Sequence, residues 1–100
     1  MLVKVLITRR IKPGSEMDVL LTLNSLRARA MDQPGYISGE TLVGHDDPRK
    51  LVVVSTWENL EQWQRWKDDP SRAQAEAGLE GHLLEPATYE VFTPGARPRK

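Results

Sequence analysis

The chain has 100 residues, with 14 Lys and Arg balanced by 14 Asp and Glu, and it contains no cysteine. This length indicates one domain, and the balanced charge argues against the basic surface typical of nucleic-acid-binding proteins. The absence of cysteine excludes disulfides and thiolate chemistry. The sequence shows no signal-peptide pattern and no apolar run of about 20 residues. We therefore predict a cytoplasmic protein that binds neither nucleic acid nor membrane.

The first predicted element is a strand over residues 2–11, where both alternating sets of side chains are largely apolar. Pro13 and Gly14 end this strand. Ser15 is predicted to be the N-cap of a helix, with Asp18 completing a capping box. The apolar stripe of this helix consists of Val19, Leu20, Leu23, Leu26, Ala30 and Met31.

The central predicted elements are two strands and a helix. A weaker strand over residues 36–43, interrupted by Gly39, leads through a polar hairpin loop into the strand 50–57. That strand is apolar on both sides, which predicts that both of its faces are covered. Asn59 is predicted to cap the following helix, with Gln62 reaching back to it, as in a capping box.

The last part of the chain contains a short helix and a final strand. Asp69 is predicted to be the N-cap of the helix, so that Pro70 lies in the first turn. The helix is predicted to end at Gly78. An irregular connection over residues 79–86 is predicted to hold Leu79, Leu83 and Leu84 against the core. Thr88 to Phe92 form the last predicted strand, so the domain covers residues 1–94. Residues 95–100 are predicted to be a flexible basic tail.

The element order βαββαβ predicts an α+β, ferredoxin-like fold: a four-stranded antiparallel sheet with its helices on one face. The other face then remains bare, although it carries apolar side chains. We therefore predict a homodimer that packs its two sheets face to face. The residues expected on this face are Leu2, Leu6, Val52 and Val54, with either Tyr89 and Val91 or Phe92.

Several short motifs are spread along the chain: Pro34-Gly35-Tyr36, Asp46-Asp47-Pro48, Thr56-Trp57, Glu58 to Trp63 and Asp69-Pro70-Ser71. Together they resemble the antibiotic biosynthesis monooxygenase family over residues 2–93. The resemblance implies a dimeric α/β barrel. Members of this family include cofactor-free oxygenases of anthrone- or quinol-like aromatics, haem-degrading enzymes and proteins of no known activity.

The haem-degrading branch of the family resembles this chain at one functional position only. Its late-helix tryptophan corresponds to Trp66. Its first-strand asparagine falls on Ile7, and its axial histidine falls near Glu76. Iron would therefore lack its ordinary proximal ligand. We predict no cofactor and no metal, and haem binding stays as an alternative whose ligand positions are not matched.

The substrate-binding candidates are mostly aromatic. Trp63 and Trp66 lie three residues apart and so share a helix face. Trp57 ends the central strand and is also interpreted as a core or barrel-rim aromatic. A flat aromatic ligand would stack on such walls, in the region between sheet and helices where the family binds its substrate. Ile7, on the facing strand, is included among the substrate-binding candidates.

The catalytic candidates are His82, Asn24 and Arg9. Histidine is the side chain whose chemistry most often suits a base near neutral pH, so His82 could act as one, or it could be an ordinary surface histidine. Asn24 could hold a substrate carbonyl or a water, or lie at the helix edge. Arg9 could neutralise a phenolate, or extend its charged end to water. Arg72 and Glu76 form a helical i,i+4 pair and are interpreted as a solvated face.

These observations favour a cofactor-independent monooxygenase that acts on a small aromatic or quinol-like molecule bound between sheet and helices. The alternatives are a non-catalytic homodimer, either binding a small molecule or purely structural, and the haem-binding protein described above.

Overall fold

The computed structural model describes residues 1–95. The predicted element order and the ferredoxin-like fold are confirmed. From residue 96 on, the predicted tail lies outside the described residues. The strands are β1 (Val3–Arg10), β2 (Tyr36–Val43), β3 (Lys50–Trp57) and β4 (Thr88–Phe92). The helices are α1 (Glu16–Ala30), α2 (Leu60–Lys67) and α3 (Pro70–Leu79), followed by a 3-10 turn at Glu80–His82.

The four strands form an antiparallel sheet in the order β2-β3-β1-β4. The two central strands pair so that Ile7 lies opposite Val53 and Arg9 lies opposite Leu51. Opposed residues in an antiparallel pair share a face of the sheet. This shared face is the one that the helices cover, and it positions the candidate site.

The hydrophobic core lies between this covered face and the helices. Val5 and Val19 are completely buried, and Trp57 is almost so. The tryptophan ring meets Tyr36 edge-on, with ring centroids 5.3 Å apart. The other core residues are Val3, Ile7, Ile11, Leu23, Leu26, Ala30, Leu51, Trp63, Trp66, Leu79 and Leu83.

The opposite face of the sheet, which we call the open face, carries no helix. Leu6 pairs with Val54 on this face, and Phe92 pairs with Lys4. Phe92 is 47% exposed. Tyr89 pairs with Ile7 and therefore points to the covered face. Of the two predicted alternatives for the last strand, Phe92 is thus the one on the open face.

Two of the predicted helix caps form as expected. Asn59 accepts a hydrogen bond from the backbone N–H of Gln62, at 2.9 Å. Asp69 accepts hydrogen bonds from the hydroxyl and the backbone N–H of Ser71, at 2.6 and 2.8 Å. These two bonds, from the hydroxyl first, hold the pKa of the Asp69 carboxyl below its usual range.

The capping box predicted at Ser15 is wrong. Within the described residues its side chain makes no capping bond, and its hydroxyl lies 3.0 Å from Nδ1 of His82. The return bond predicted from Gln62 is also wrong, since its side-chain oxygen is buried without a hydrogen-bond partner in the described part of the chain.

The apolar stripe of α1 is narrower than predicted. Leu20 is 36% exposed, and Met31, just beyond the helix, is 62% exposed. In the later connection, Leu79 and Leu83 are buried as predicted, whereas Leu84 is 49% exposed. Among residues 1–95, no helix has the length and apolar character needed to cross a membrane.

Candidate active site

A cavity of about 60 Å³ lies between the covered face and the helices. Side chains from β1, β2, β3 and all three helices line it. Arg27 is an exposed member of the lining, so it marks the side on which the cavity meets solvent. Glu40 also borders the cavity, but it pairs with Val54 and its side chain therefore points to the opposite face of the sheet. The other lining residues are Ile7, Arg9, Leu23, Leu26, Ala30, Tyr36, Gly39, Thr41, Val53, Ser55, Trp57, Trp63, Trp66, Arg72 and Glu76.

Aromatic rings form one wall of the cavity. Trp57 and Trp63 lie with ring centroids 5.9 Å apart, a distance typical of favourable aromatic pairs. The indole N–H of Trp57 donates to the Ser55 hydroxyl at 3.1 Å, so this buried polar group is satisfied. The ring of Tyr36 fits here because Gly39 has no side chain: a Cβ at that position would lie 2.5 Å from the tyrosine hydroxyl.

A charged cluster occupies the part of the cavity between β1 and α3. Nη2 of Arg9 donates to Oε2 of Glu76 at 2.5 Å. The same oxygen lies 3.1 Å from Nη2 of Arg72. That nitrogen also donates to the Tyr89 hydroxyl at 3.1 Å, and the guanidinium of Arg72 lies over the rings of Trp63 and Tyr89. We call Arg9, Arg72 and Glu76 the buried charge cluster.

The buried charge cluster contains one more positive than negative charge. Arg9 is 2% exposed and Arg72 is 4% exposed, and both guanidiniums stay charged in proteins. Glu76 provides the only carboxylate that forms ion pairs with them among residues 1–95. Nε and Nη1 of Arg9 are buried and have no hydrogen-bond partner within that range. The cavity therefore presents unsatisfied donors that carry a positive charge.

The structure brings together five of the seven residues predicted for the site. Ile7, Arg9, Trp57, Trp63 and Trp66 all line the cavity. The alternative in which Arg9 extends to water is wrong, because its side chain is buried.

The other two predicted catalytic residues lie elsewhere. Asn24 is exposed on α1 and is not part of the lining. His82 lies in the 3-10 turn, next to Ser15 at the start of α1, and is also outside the lining.

Sequence reasoning misses the buried position of Arg72 and Glu76. Their spacing predicts a solvated ion pair, whereas both side chains line the cavity. A usable signal was present, since Leu79 continues the same helical stripe at the i, i+4, i+7 spacing. Leu79 is 1% exposed, and it marks this stripe as the buried side of α3.

A family model described as "Antibiotic biosynthesis monooxygenase" matches residues 2–78. The chain belongs to this family. A comparison with curated protein sequences found no match.

Solved structures support the same fold for this family member. SnoaB from Streptomyces nogalater, described as a cofactor-independent oxygenase, is 15% identical, with a TM-score of 0.84 over 99% of this chain and 98% of SnoaB. Rv0793 from Mycobacterium tuberculosis is 15% identical, with a TM-score of 0.86 over 99% and 100%. A conserved protein from Methanosarcina mazei Go1 is 13% identical, with a TM-score of 0.87 over 92% and 91%. At these identities the likeness establishes the fold.

The residues of this family member do not fit a haem. Glu76, near the position of the expected axial ligand, accepts a hydrogen bond from Arg9 and forms an ion pair with Arg72 instead. A cavity of about 60 Å³ is also several-fold smaller than the roughly 300–1,000 Å³ of typical cofactor and ligand sites. Within residues 1–95, no three His, Asp or Glu side chains are grouped as metal ligands would be.

Proposed function

We propose that this protein is a cofactor-independent monooxygenase that oxidises a small aromatic or quinol-like molecule at the cavity beneath the helices. The observation that carries the proposal is the pairing of an aromatic wall with the unsatisfied donors of Arg9. Family membership over residues 2–78 supports the reaction class. SnoaB, which has the same fold, is described as an oxygenase of this kind.

The reaction needs an electron-rich substrate anion and a group that stabilises its charge. The anion passes one electron to O2, and the resulting radical and superoxide combine to form a C–O bond. The peroxide takes up a proton and then loses water, which converts a CH2 carbon to a carbonyl. The substrate gives up four electrons and two hydrogens, one oxygen atom enters the product and the other leaves as water. No external reductant is needed.

In this chemistry Arg9 would hold the ionised oxygen of the substrate. Its guanidinium is permanently charged and already buried, so little reorganisation is required when the anion forms. Glu76 would act as a positioning residue, because its Oε2 fixes one end of that guanidinium. Trp66 and Trp63 would bind the ring of the substrate. His82 and Asn24 have no role in this proposal, since both lie outside the cavity lining.

We also infer that two copies pair through their open faces. Leu42 and Phe92, on the outer strands, are 46% and 47% exposed, and the half-buried Leu6, Val52 and Val54 lie between them. Monomeric soluble proteins rarely leave a continuous apolar sheet face uncovered. The resemblance to dimeric α/β barrels supports the same arrangement.

A non-catalytic homodimer is the second candidate, and the size of the cavity favours it. A volume of about 60 Å³ accommodates a few waters or the end of a ligand, but not a fused-ring aromatic. The oxygenase proposal therefore requires the helices to move outward when a whole substrate enters.

Oxygen uptake with a panel of quinols and anthrones separates the two candidates. We expect the wild type to consume O2, and we expect Trp66→Leu to reduce the rate because it removes an aromatic wall. His82→Ala is the matched control and should retain the wild-type rate. If a folded wild-type protein consumes no O2 with any substrate that it binds, the non-catalytic candidate replaces the oxygenase.

A further inference from the structure

The unsatisfied nitrogens of Arg9 indicate more than a general polar site. Nε and Nη1 together carry three N–H groups, and none of them meets an acceptor among residues 1–95. Both nitrogens are buried, and the residue lines the cavity. Buried donors almost always have partners in folded proteins, so these groups require acceptors that the described chain does not supply.

The charge of the cluster identifies the kind of acceptor. A water molecule would satisfy an N–H group but would leave the excess positive charge of Arg9 and Arg72 uncompensated. Burying an unpaired charge is costly, whereas an anion supplies both an acceptor and the missing negative charge. Tyr89 and Lys67 do not provide that charge: the tyrosine hydroxyl accepts from Arg72, and the lysine lies over the tyrosine ring.

The surroundings of Arg9 limit the size and shape of the anion. About 60 Å³ is enough for an oxygen atom or carboxylate and the carbon that carries it. The rest of the ligand would extend along Trp63 and Trp66 toward Arg27, where the cavity meets solvent. A flat ring suits this wall by stacking.

We propose that the cavity selects aromatic molecules carrying one ionised oxygen, as a phenolate, enolate or carboxylate, and that Arg9 binds this oxygen. As a statement about the substrate, this inference rests on the proposed oxygenase function; as a binding site, it stands without it. It also explains how a cavity whose described lining contains no histidine can hold an anion: the charge of Arg9 favours the ionised form of the ligand.

A matched pair of ligands tests the selection in the wild-type protein at pH 7. Benzoate is ionised, and benzamide has nearly the same shape without the charge. Fluorescence reports binding well, because all three tryptophans line the cavity. We expect benzoate to bind at least about tenfold more tightly, the value of a hydrogen bond to a charged group. Equal affinities, or no binding of benzoate, would overturn the proposal.

The wild type also allows the anion to be located without a mutation. The Nε–H proton of Arg9 is buried, so its NMR signal should persist in water and move when benzoate is added but not when benzamide is added. Arg9→Met should abolish the preference for benzoate, and Arg10→Met is the matched control. Arg10 is the next residue, faces the other side of the sheet and is paired with Asp47 at the surface. Loss of the preference in Arg10→Met alone would contradict the assignment.

The ionisation of a phenol on binding provides the last test of the proposal. 4-Nitrophenol is yellow only as its phenolate, so binding at Arg9 should increase the yellow fraction at a fixed pH in the wild type and not in Arg9→Met. An effect with benzoate alone would narrow the site to carboxylates and overturn the phenolate part. Anion binding without oxygen uptake would refute the proposed function but would support this anion site. Oxygen uptake together with equal binding of neutral and ionised ligands would support the proposed function but would refute the anion site.

Discussion

The two faces of the sheet leave different kinds of group without a partner. The covered face is packed with apolar side chains around a small cavity, in which Arg9 presents donors without hydrogen-bond partners among residues 1–95. The open face has exposed apolar side chains, among them Leu42 and Phe92. This difference is the reason that we propose a small charged ligand for the covered face and a second copy of the chain for the open face.

Two neighbouring arginines illustrate the difference. Arg9 and Arg10 are adjacent on β1, so their side chains point to opposite faces. Arg10 is half-exposed and its ion pair with Asp47 is solvated, a type of pair that contributes little to stability. Arg9 is buried, so its charge affects stability, and we propose that it also binds the ligand. The same residue type is a surface group on one face and a candidate functional group on the other.

The largest expected effect comes from removing the negative charge of the buried cluster. Glu76→Gln would leave Arg9 and Arg72 without a counter-charge, and we expect the free energy of unfolding to fall by roughly 3–5 kcal/mol. Urea unfolding measures this loss. Glu80→Gln, one turn further along at an exposed position, is the control and should change stability by less than about 0.5 kcal/mol. Equal effects would mean that the cluster is solvated.

The open face is tested by placing a charge in its centre. Val54→Asp lies opposite Leu6, and in a face-to-face dimer its carboxylate would be buried without a partner. We expect the dimer dissociation constant to rise by about a hundredfold, since several kcal/mol are lost. Sedimentation velocity at micromolar concentration measures it, with Leu21→Asp on the outer surface of α1 as the control. A wild-type monomer would contradict the dimer directly.

A smaller effect is expected at the helix that carries two of the cavity tryptophans. Asn59 caps α2 through the backbone N–H of Gln62. Asn59→Ala should lower the free energy of unfolding by about 1 kcal/mol, as is typical for loss of a cap. Asn24→Ala, at an exposed position inside α1, is the matched control and should be neutral or slightly stabilising. Thermal unfolding followed by circular dichroism distinguishes the two.

The smallest effect concerns acid stability at α3, which carries Arg72 and Glu76 of the buried charge cluster. Ser71 holds the pKa of the Asp69 carboxyl below its ordinary value of 3.8. Because the folded pKa is the lower one, the stabilisation is present above pH 3.8 and is lost as the pH falls through the folded pKa. Asp69→Asn should therefore reduce the pH dependence of stability in this acid range. An unchanged acid dependence would show that the cap contributes nothing there.

The fold followed from the sequence because local signals agreed with one another. Strand alternation, the caps at Asn59 and Asp69 and the order of elements all led to the observed sheet. The excess of apolar side chains on the strands also indicated that one face would remain uncovered. The two capping interactions that failed, at Ser15 and Gln62, depend on which tertiary partner a polar side chain meets, and spacing along the chain does not contain that information.

The site was predictable only in part. The tryptophans of α2 and the position of Arg9 followed from helix and strand periodicity. The ion pair of Arg72 and Glu76 has the same spacing as countless solvated pairs, and only the approach of β1 to α3 makes it buried. The volume of the cavity depends on how side chains from six elements interlock, which residue types alone do not specify.

The central claim is that the functional site lies on the covered face, at Arg9. The most direct test is the rate of oxygen uptake by Arg9→Met beside Arg10→Met, with the panel substrate that the wild type oxidises fastest. We predict that Arg9→Met lowers kcat/KM by roughly a hundredfold, as loss of an oxyanion-stabilising group does, while Arg10→Met stays within about twofold of the wild type. Equal rates in two folded variants would contradict the claim and move the chemistry away from this cavity.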